Sequence, residues 1–204
     1  MRRLAWLALL LAGCTGGGDP PDFVAADLPQ LVLLPEEAPV GTTLVDASSG
    51  AVSVNEIAED ATEAAALQAA GFVSGYITFF FNQDLRGEEE LNPEASEAAS
   101  FALLFGDADG AREGLEILEA DVRNDGTGLD ERPTSGFGED AFAFYGVLDT
   151  GEPPGFLFAW RVANVVQVLV ASGARDAIRE DSARELAGVM RARAFAPRVT
   201  ASPA

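Results

Sequence analysis

The spacing of apolar residues along the chain predicts three helices. Ser53 and Glu56 form a capping-box pattern, and the Ala-rich stretch behind them predicts a helix from Asn55 to Ala70. A second, amphipathic helix is predicted from Asp107 to Arg123, where four apolar residues recur at helical spacing: Ala111, Leu115, Leu118 and Val122. The last predicted helix runs from Asp176 to Arg193, with acidic residues early and arginines late, as the helix dipole favours.

Strands are predicted between these helices. The stretch Phe72–Asn82 is apolar on both sides, which predicts a central strand whose aromatic residues are interpreted as core and not as the lining of a ligand pocket. The pattern predicts a further strand over Ala98–Phe105. Three more strands are predicted as a meander that turns near Asn164, since Asn tolerates a left-handed backbone. These three are Asp140–Leu148, Phe156–Ala163 and Val165–Ala171.

Two stretches lack a regular pattern. The apolar run Leu31–Leu34 lies between two prolines, which predicts an edge strand or an extended segment. The polar stretch Asn124–Gly138 predicts a long loop, and loops of this length are often functional or disordered.

This order of elements predicts an α+β fold: a mostly antiparallel sheet with three helices, and a C-terminal three-strand meander followed by a helix. Helix, strand, strand occurs once before residue 105 and again, with an added strand, after it. We therefore predict a single domain over residues 29–196, with two related halves at 29–105 and 106–196, and a disordered tail over 197–204.

The first fourteen residues have the layout of an export signal. Arg2 and Arg3 precede an unbroken apolar run from Leu4 to Ala12, and Gly13 and Cys14 follow. A membrane-spanning helix needs roughly 20 apolar residues, about twice the length of this run. The pattern therefore predicts a signal peptide over residues 1–13.

The end of this signal, Leu11-Ala12-Gly13-Cys14, resembles the bacterial lipobox. The resemblance implies cleavage between Gly13 and Cys14 and attachment of lipid to the Cys14 sulfur, so that the membrane is the first partner. Apart from this covalent lipid, no cofactor is predicted. Two or more acyl chains give stable anchoring. Residues 14–28 are then predicted to be a flexible tether, and Thr15, which is not Asp, implies the outer membrane in a Gram-negative host.

The body of the chain also resembles a group of known proteins. The order of elements, with Gly71 before an aromatic strand and a late strand pair turning at Asn164, is similar to that of uncharacterised extracytoplasmic lipoproteins and sensor-type domains of bacteria. This resemblance implies an anchored binding or interaction module outside the cytoplasm.

The amino-acid composition excludes several kinds of active site and one class of partner. All 13 basic residues are Arg, against 33 acidic ones, and the chain has neither His nor Lys. The resulting net charge of −20 repels phosphate backbones, so nucleic acid is not expected as a partner. Without His or Lys there is no Ser-His-Asp triad, Schiff base or Walker-type phosphate loop. Cys14 has no second cysteine with which to form a disulfide.

The remaining candidates are carboxylates. Asp125, Asp130 and Glu131 lie in a flexible acidic stretch that offers oxygen ligands to a divalent cation, but a solvated acidic turn is the preferred interpretation and no metal site is predicted. Asp107 is interpreted as a helix N-cap because the spacing after it does not fit a calcium loop. Glu139 and Asp140 are neighbours in a strand and point to opposite faces, which argues against a catalytic pair.

Three hypotheses follow. The first is a non-enzymatic, lipid-anchored module that binds an envelope protein or a small ligand outside the cell. The second is a hydrolase that depends on carboxylates and a divalent metal, for which three or more carboxylates should converge in a concave site. The third is a structural spacer of the envelope.

Overall fold

The computed structural model describes residues 22–81, 96–138, 140–148, 153–173 and 179–196. Within these ranges the chain forms four α-helices, three 3₁₀ turns and eight strands. The helices are α1 Val54–Ile57, α2 Ala61–Ala69, α3 Ala108–Asp125 and α4 Glu180–Ala194, and the 3₁₀ turns are Ala25–Gln30, Pro35–Glu37 and Asp46–Ser48. The strands are β1 Thr43–Leu44, β2 Gly50–Val52, β3 Phe72–Phe81, β4 Ser96–Phe105, β5 Thr127–Glu131, β6 Ala141–Val147, β7 Gly155–Val162 and β8 Val165–Gly173.

The strands form one sheet, in the order β1-β3-β4-β8-β7-β6-β5, with β2 also paired to β3. Every pairing between the described strands is antiparallel. The predicted α+β fold is therefore confirmed, as is the C-terminal meander of β6, β7 and β8 followed by α4. Strands from both predicted halves lie in this one sheet, since β4 pairs with β8 along nine residue positions.

Helices and loops cover the two faces of the sheet. On one face, α2 and α3 pack on an apolar cluster that includes Leu67, Leu103 and Leu115. On the other, α4 and the segment 22–34 pack on a second cluster that includes Trp160 and Met190. Because apolar side chains of β4, β7 and β8 enter both clusters, these strands form the centre of the molecule.

A bulge alters the predicted alternation of β3. The β3–β4 register shifts between Phe72 and Ser74, so Phe72 packs edge-on against Phe105 at 5.8 Å on the α2–α3 face. Val73, at the bulge, is 58% exposed. The extra residue therefore turns Phe72 to the same face as Phe79, where strict alternation predicted the opposite face.

The folded domain begins earlier than predicted. Phe23 and Leu28, which the predicted tether over residues 14–28 included, are 4% and 2% exposed, so that boundary is wrong from residue 22 onward. The segment 22–34 makes no strand; instead polar side chains of the sheet bind its backbone. Asn164 binds Phe23, and Ser100 Oγ accepts the Leu33 N–H at 2.9 Å.

Further corrections concern element boundaries. The helix predicted over Asn55–Ala70 is broken after α1, because the Asp60 carboxylate accepts the N–H groups of Thr62 and Glu63 and starts a new helix there. The loop predicted over Asn124–Gly138 contains β5, which pairs with β6 at the edge of the sheet. No described helix has the length and apolar character needed to cross a membrane.

The β7–β8 turn lies where the sequence predicts it, but with the roles of its residues changed. Ala163, and not Asn164, has the positive φ of 52°. The Asn164 side chain is buried and makes hydrogen bonds instead of relieving backbone strain.

Candidate cation cluster and polar groove

Three carboxylates converge where the α1–α2 junction meets the last turn of α3. Carboxylate oxygens of Glu59, Asp121 and Asp125 all lie within 4.8 Å of one another. We refer to these three residues as the acidic cluster. Three oxygen ligands from carboxylates are a set that a hard divalent cation accepts, with water completing the coordination.

Local structure explains why the cluster forms. Asp121 and Asp125 are four residues apart on α3 and therefore lie on the same side of the helix. Glu59 precedes the Asp60 N-cap of α2, and its N–H donates to the Glu63 carboxylate at 2.6 Å. Acidic groups are favoured at the start of α2, whereas those at the end of α3 oppose the helix dipole.

The pKa values reflect this crowding. Burial raises the pKa of Asp121, and the negative charges of Asp125 and Asp60 raise it further. Burial is also the main cause of the raised pKa of Glu63 and of Glu59, with the charge of Asp121 adding to both. Ionisation at this site therefore costs more than it does for isolated carboxylates, a cost that an added cation or a proton would relieve.

Only one of the three predicted metal candidates belongs to the cluster. Asp125 does, but Asp130 forms an ion pair with Arg132 at 2.9 Å, and Glu131 forms one with Arg123 at 2.8 Å. Both residues lie in β5 and not in a flexible loop, and the structure does not bring them together with Asp125. The negative charges of Asp130 and Glu131 are balanced by separate arginines, so these two carboxylates do not converge on one site.

A polar groove of about 250 Å³ lies beside β5, between α3 and the edge of β6. It is lined by Glu119, Arg123, Glu131, Arg132, Thr134 and the stretch Ala141–Phe144. The Arg123 guanidinium lies over the Phe144 ring at 4.6 Å and bonds both Glu119 and Glu131, and these two carboxylates raise its pKa.

The groove also exposes part of a strand edge. The β5–β6 ladder ends where Glu131 pairs with Phe144, followed by one bond from the Arg132 N–H to the Ala143 carbonyl. Ala141 and Phe142 therefore lie beyond the end of β5. The groove offers charged side chains of both signs beside this strand edge, which suits a polar or zwitterionic ligand or an extended peptide.

The comparisons with known proteins concern the fold. No protein-family model matches the chain, and no curated protein sequence matches it. Its structure is similar to the crystal structure of the extracellular domain of PknH from Mycobacterium tuberculosis, with a TM-score of 0.54 and 13% sequence identity. The match covers 87% of this chain and 98% of the PknH domain, so the two share a fold over nearly the whole of that domain.

Two other residues named in the sequence analysis, Asp107 and Asp140, have structural roles. Asp107 is the N-cap of α3, as predicted, and accepts the Gly110 N–H at 2.8 Å. Asp140 forms an ion pair with Arg161 at 2.7 Å. Gly13, Cys14 and Glu139 lie outside the described residues, so their predicted roles stay predictions.

Sequence reasoning missed Glu59 and Asp121. The predicted continuous helix from Asn55 to Ala70 placed Glu59 within its first turns, with no reason to approach the end of another helix. The spacing of Asp121 and Asp125 was the available signal, since two carboxylates four residues apart on a helix repel one another unless something balances them.

Proposed function

We propose that the chain is an extracytoplasmic lipoprotein, anchored through Cys14, whose domain binds a ligand or an envelope protein and is not an enzyme. The observation that carries the proposal is the lipobox-like sequence Leu11-Ala12-Gly13-Cys14, which is followed after only eight residues by Phe23, the first buried residue among those that the structure describes. Similarity to the fold of an extracellular domain supports the location.

The polar groove supports binding over a purely structural role. A spacer needs no recess, whereas this groove presents Arg132, Thr134 and a short strand edge to a partner. The chain has no His and no Lys, and Glu119 and Glu131 in the groove are both paired with Arg123. These features favour recognition over acid–base catalysis.

The anchor is tested with Cys14→Ala, compared with Thr15→Ala as the matched control. The Cys14→Ala variant should accumulate as the uncleaved precursor and incorporate no radiolabelled palmitate, while Thr15→Ala should be processed and labelled like the parent. Normal palmitate incorporation in Cys14→Ala would rule out the anchor.

The groove is tested by photo-crosslinking in living cells. A photoreactive residue in place of Thr134 should capture a partner, whereas one in place of Gly188, an exposed position on α4, should not. Equal capture at both positions, or capture only at Gly188, would contradict the groove as the binding surface.

A divalent-metal hydrolase is the second candidate, and the acidic cluster is the observation that favours it. Millimolar Mg²⁺, Ca²⁺ or Mn²⁺ should then raise the melting temperature at constant ionic strength, and Asp121→Asn should remove that rise. Equal responses of the parent and the variant would exclude a cation at this cluster.

A further inference from the structure

Phe23 is the first buried residue in the described part of the chain, and it is bound at one end of the sheet. The Phe23 N–H donates to Asn164 Oδ1 at 2.7 Å, and Asn164 Nδ2 donates to the carbonyls of Phe23 and Phe105, each at 3.1 Å. Gly71 lies at the same end, since its carbonyl accepts the Gly106 N–H at 2.9 Å. We call this end of the sheet, which carries Phe23, Gly71, Phe105 and Asn164, the Asn164 end.

The opposite end of the sheet is defined by the same strands. β3 begins beside Gly71 and ends at Phe81, which pairs with Thr43 of β1. A ten-residue strand spans roughly 33 Å. We call this far end the Thr43 end.

We infer that the Asn164 end faces the membrane and that the Thr43 end is turned away from it. This inference rests on the proposed lipid anchor. Nine residue steps separate Cys14 from Phe23, and a chain of that length spans at most about 32 Å when fully extended. The Asn164 end is therefore held within that distance of the lipid, whereas the Thr43 end is a strand length further along the sheet.

Energy transfer to the bilayer tests the orientation on the acylated protein. The protein is reconstituted in phosphatidylcholine vesicles that carry an acceptor dye on the lipid headgroup, and a donor dye is attached at Val73→Cys or at Thr43→Cys. Both side chains are exposed, they lie near opposite ends of β3, and Cys14, the one native cysteine, is blocked by its lipid. Since the two sites are about 26 Å apart along the strand, transfer from Val73→Cys should exceed that from Thr43→Cys by about twofold or more.

The control lengthens the tether and leaves the domain unchanged. Inserting a Gly/Ser linker of about 30 residues after Gly18 should remove the difference between the two labels, because such a linker extends the reach by a flexible coil of roughly 30 Å. Equal transfer in the parent tether, or a difference that persists with the long linker, would overturn the inference. Failure of the lipid anchor is detected separately by vesicle flotation, because protein without the anchor does not rise with the vesicles.

Discussion

The Asn164 side chain holds the backbone of Phe23, 141 residues earlier in the chain, by donating to its carbonyl and accepting from its N–H. An amide side chain can mimic a strand partner in this way because its NH₂ group and its carbonyl oxygen lie side by side in one plane. Phe23, which the sequence placed within a flexible tether, is therefore secured by the turn between the last two strands.

Asn164→Ala should lower the free energy of unfolding by about 2–4 kcal/mol, because it leaves the buried N–H and carbonyl of Phe23 and the Phe105 carbonyl without this partner. Urea denaturation of the purified protein measures the change. Asn124→Ala is the matched control, since Asn124 is exposed on α3 and should change stability by less than about 0.5 kcal/mol. Equal losses in the two variants would contradict the role of Asn164.

The elements that the sequence predicts well are those with a strong local pattern. The capping box of Ser53 is present, with its N–H donating to Glu56 at 2.7 Å, and α3 begins after Asp107 as its spacing predicts. β5 was missed because its residues, Thr127–Glu131, are mostly exposed at the sheet edge and have no apolar face. The segment 22–34 was missed for the opposite reason: its fixed position depends on partners over 60 residues away.

The candidate site could be predicted only in part. Asp125 is visible as an acidic residue near a predicted helix end, but its neighbours in space depend on where α2 starts. The break at Asp60 brings Glu59 to the end of α3, and no local signal in the sequence specifies that contact. Asp130 and Glu131 seemed similar to Asp125 in sequence, yet the β5–β6 pairing places them beside arginines.

The buried pair Trp160 and Gln167 gives a second test of the segment 22–34. Gln167 Oε1 accepts from Trp160 Nε1 at 2.9 Å, and Gln167 Nε2 donates to the Leu31 carbonyl at 2.6 Å. Gln167→Leu should cost about 1–3 kcal/mol, since it leaves both buried groups without this partner. Tryptophan emission monitors unfolding, and Gln68→Leu, at an exposed site on α2, should be close to neutral. A neutral Gln167→Leu would show that these bonds contribute no net stability.

Removing one charge from the acidic cluster should stabilise the protein at pH 7. Asp121→Asn relieves repulsion from Asp125 and removes a negative charge from the end of α3, for a gain of about 0.3–1 kcal/mol. Asp130→Asn is the control, because it breaks the ion pair with Arg132 and should give no gain. Thermal unfolding measures the stability of both variants relative to the parent. A stabilisation by Asp130→Asn equal to that by Asp121→Asn would contradict repulsion at the acidic cluster.

The advantage of Asp121→Asn should shrink as the pH falls. The pKa of Asp121 is raised in the folded state above its ordinary value of 3.8, so the folded protein binds this proton more tightly than the unfolded chain does. The penalty for ionised Asp121 is therefore present in full at neutral pH, decreases as pH falls through the raised pKa, and is gone below 3.8. The difference in melting temperature between the variant and the parent, followed from pH 7 to pH 4, should decrease; a constant difference would be inconsistent with this titration.

Two helical glycines should respond to alanine in opposite directions. A Cβ added to Gly114 on α3 would lie 2.2 Å from Cζ of the buried Phe105 ring, so Gly114→Ala should cost about 1–3 kcal/mol by forcing the helix away from the sheet. A Cβ added to Gly188 on α4 meets no atom within 4 Å, and Gly188→Ala should gain about 0.5–1 kcal/mol because alanine loses less backbone freedom on folding. Urea denaturation of both variants measures whether each substitution lowers or raises the free energy of unfolding. If Gly114→Ala is also stabilising, then α3 does not pack on Phe105 as closely as the structure has it.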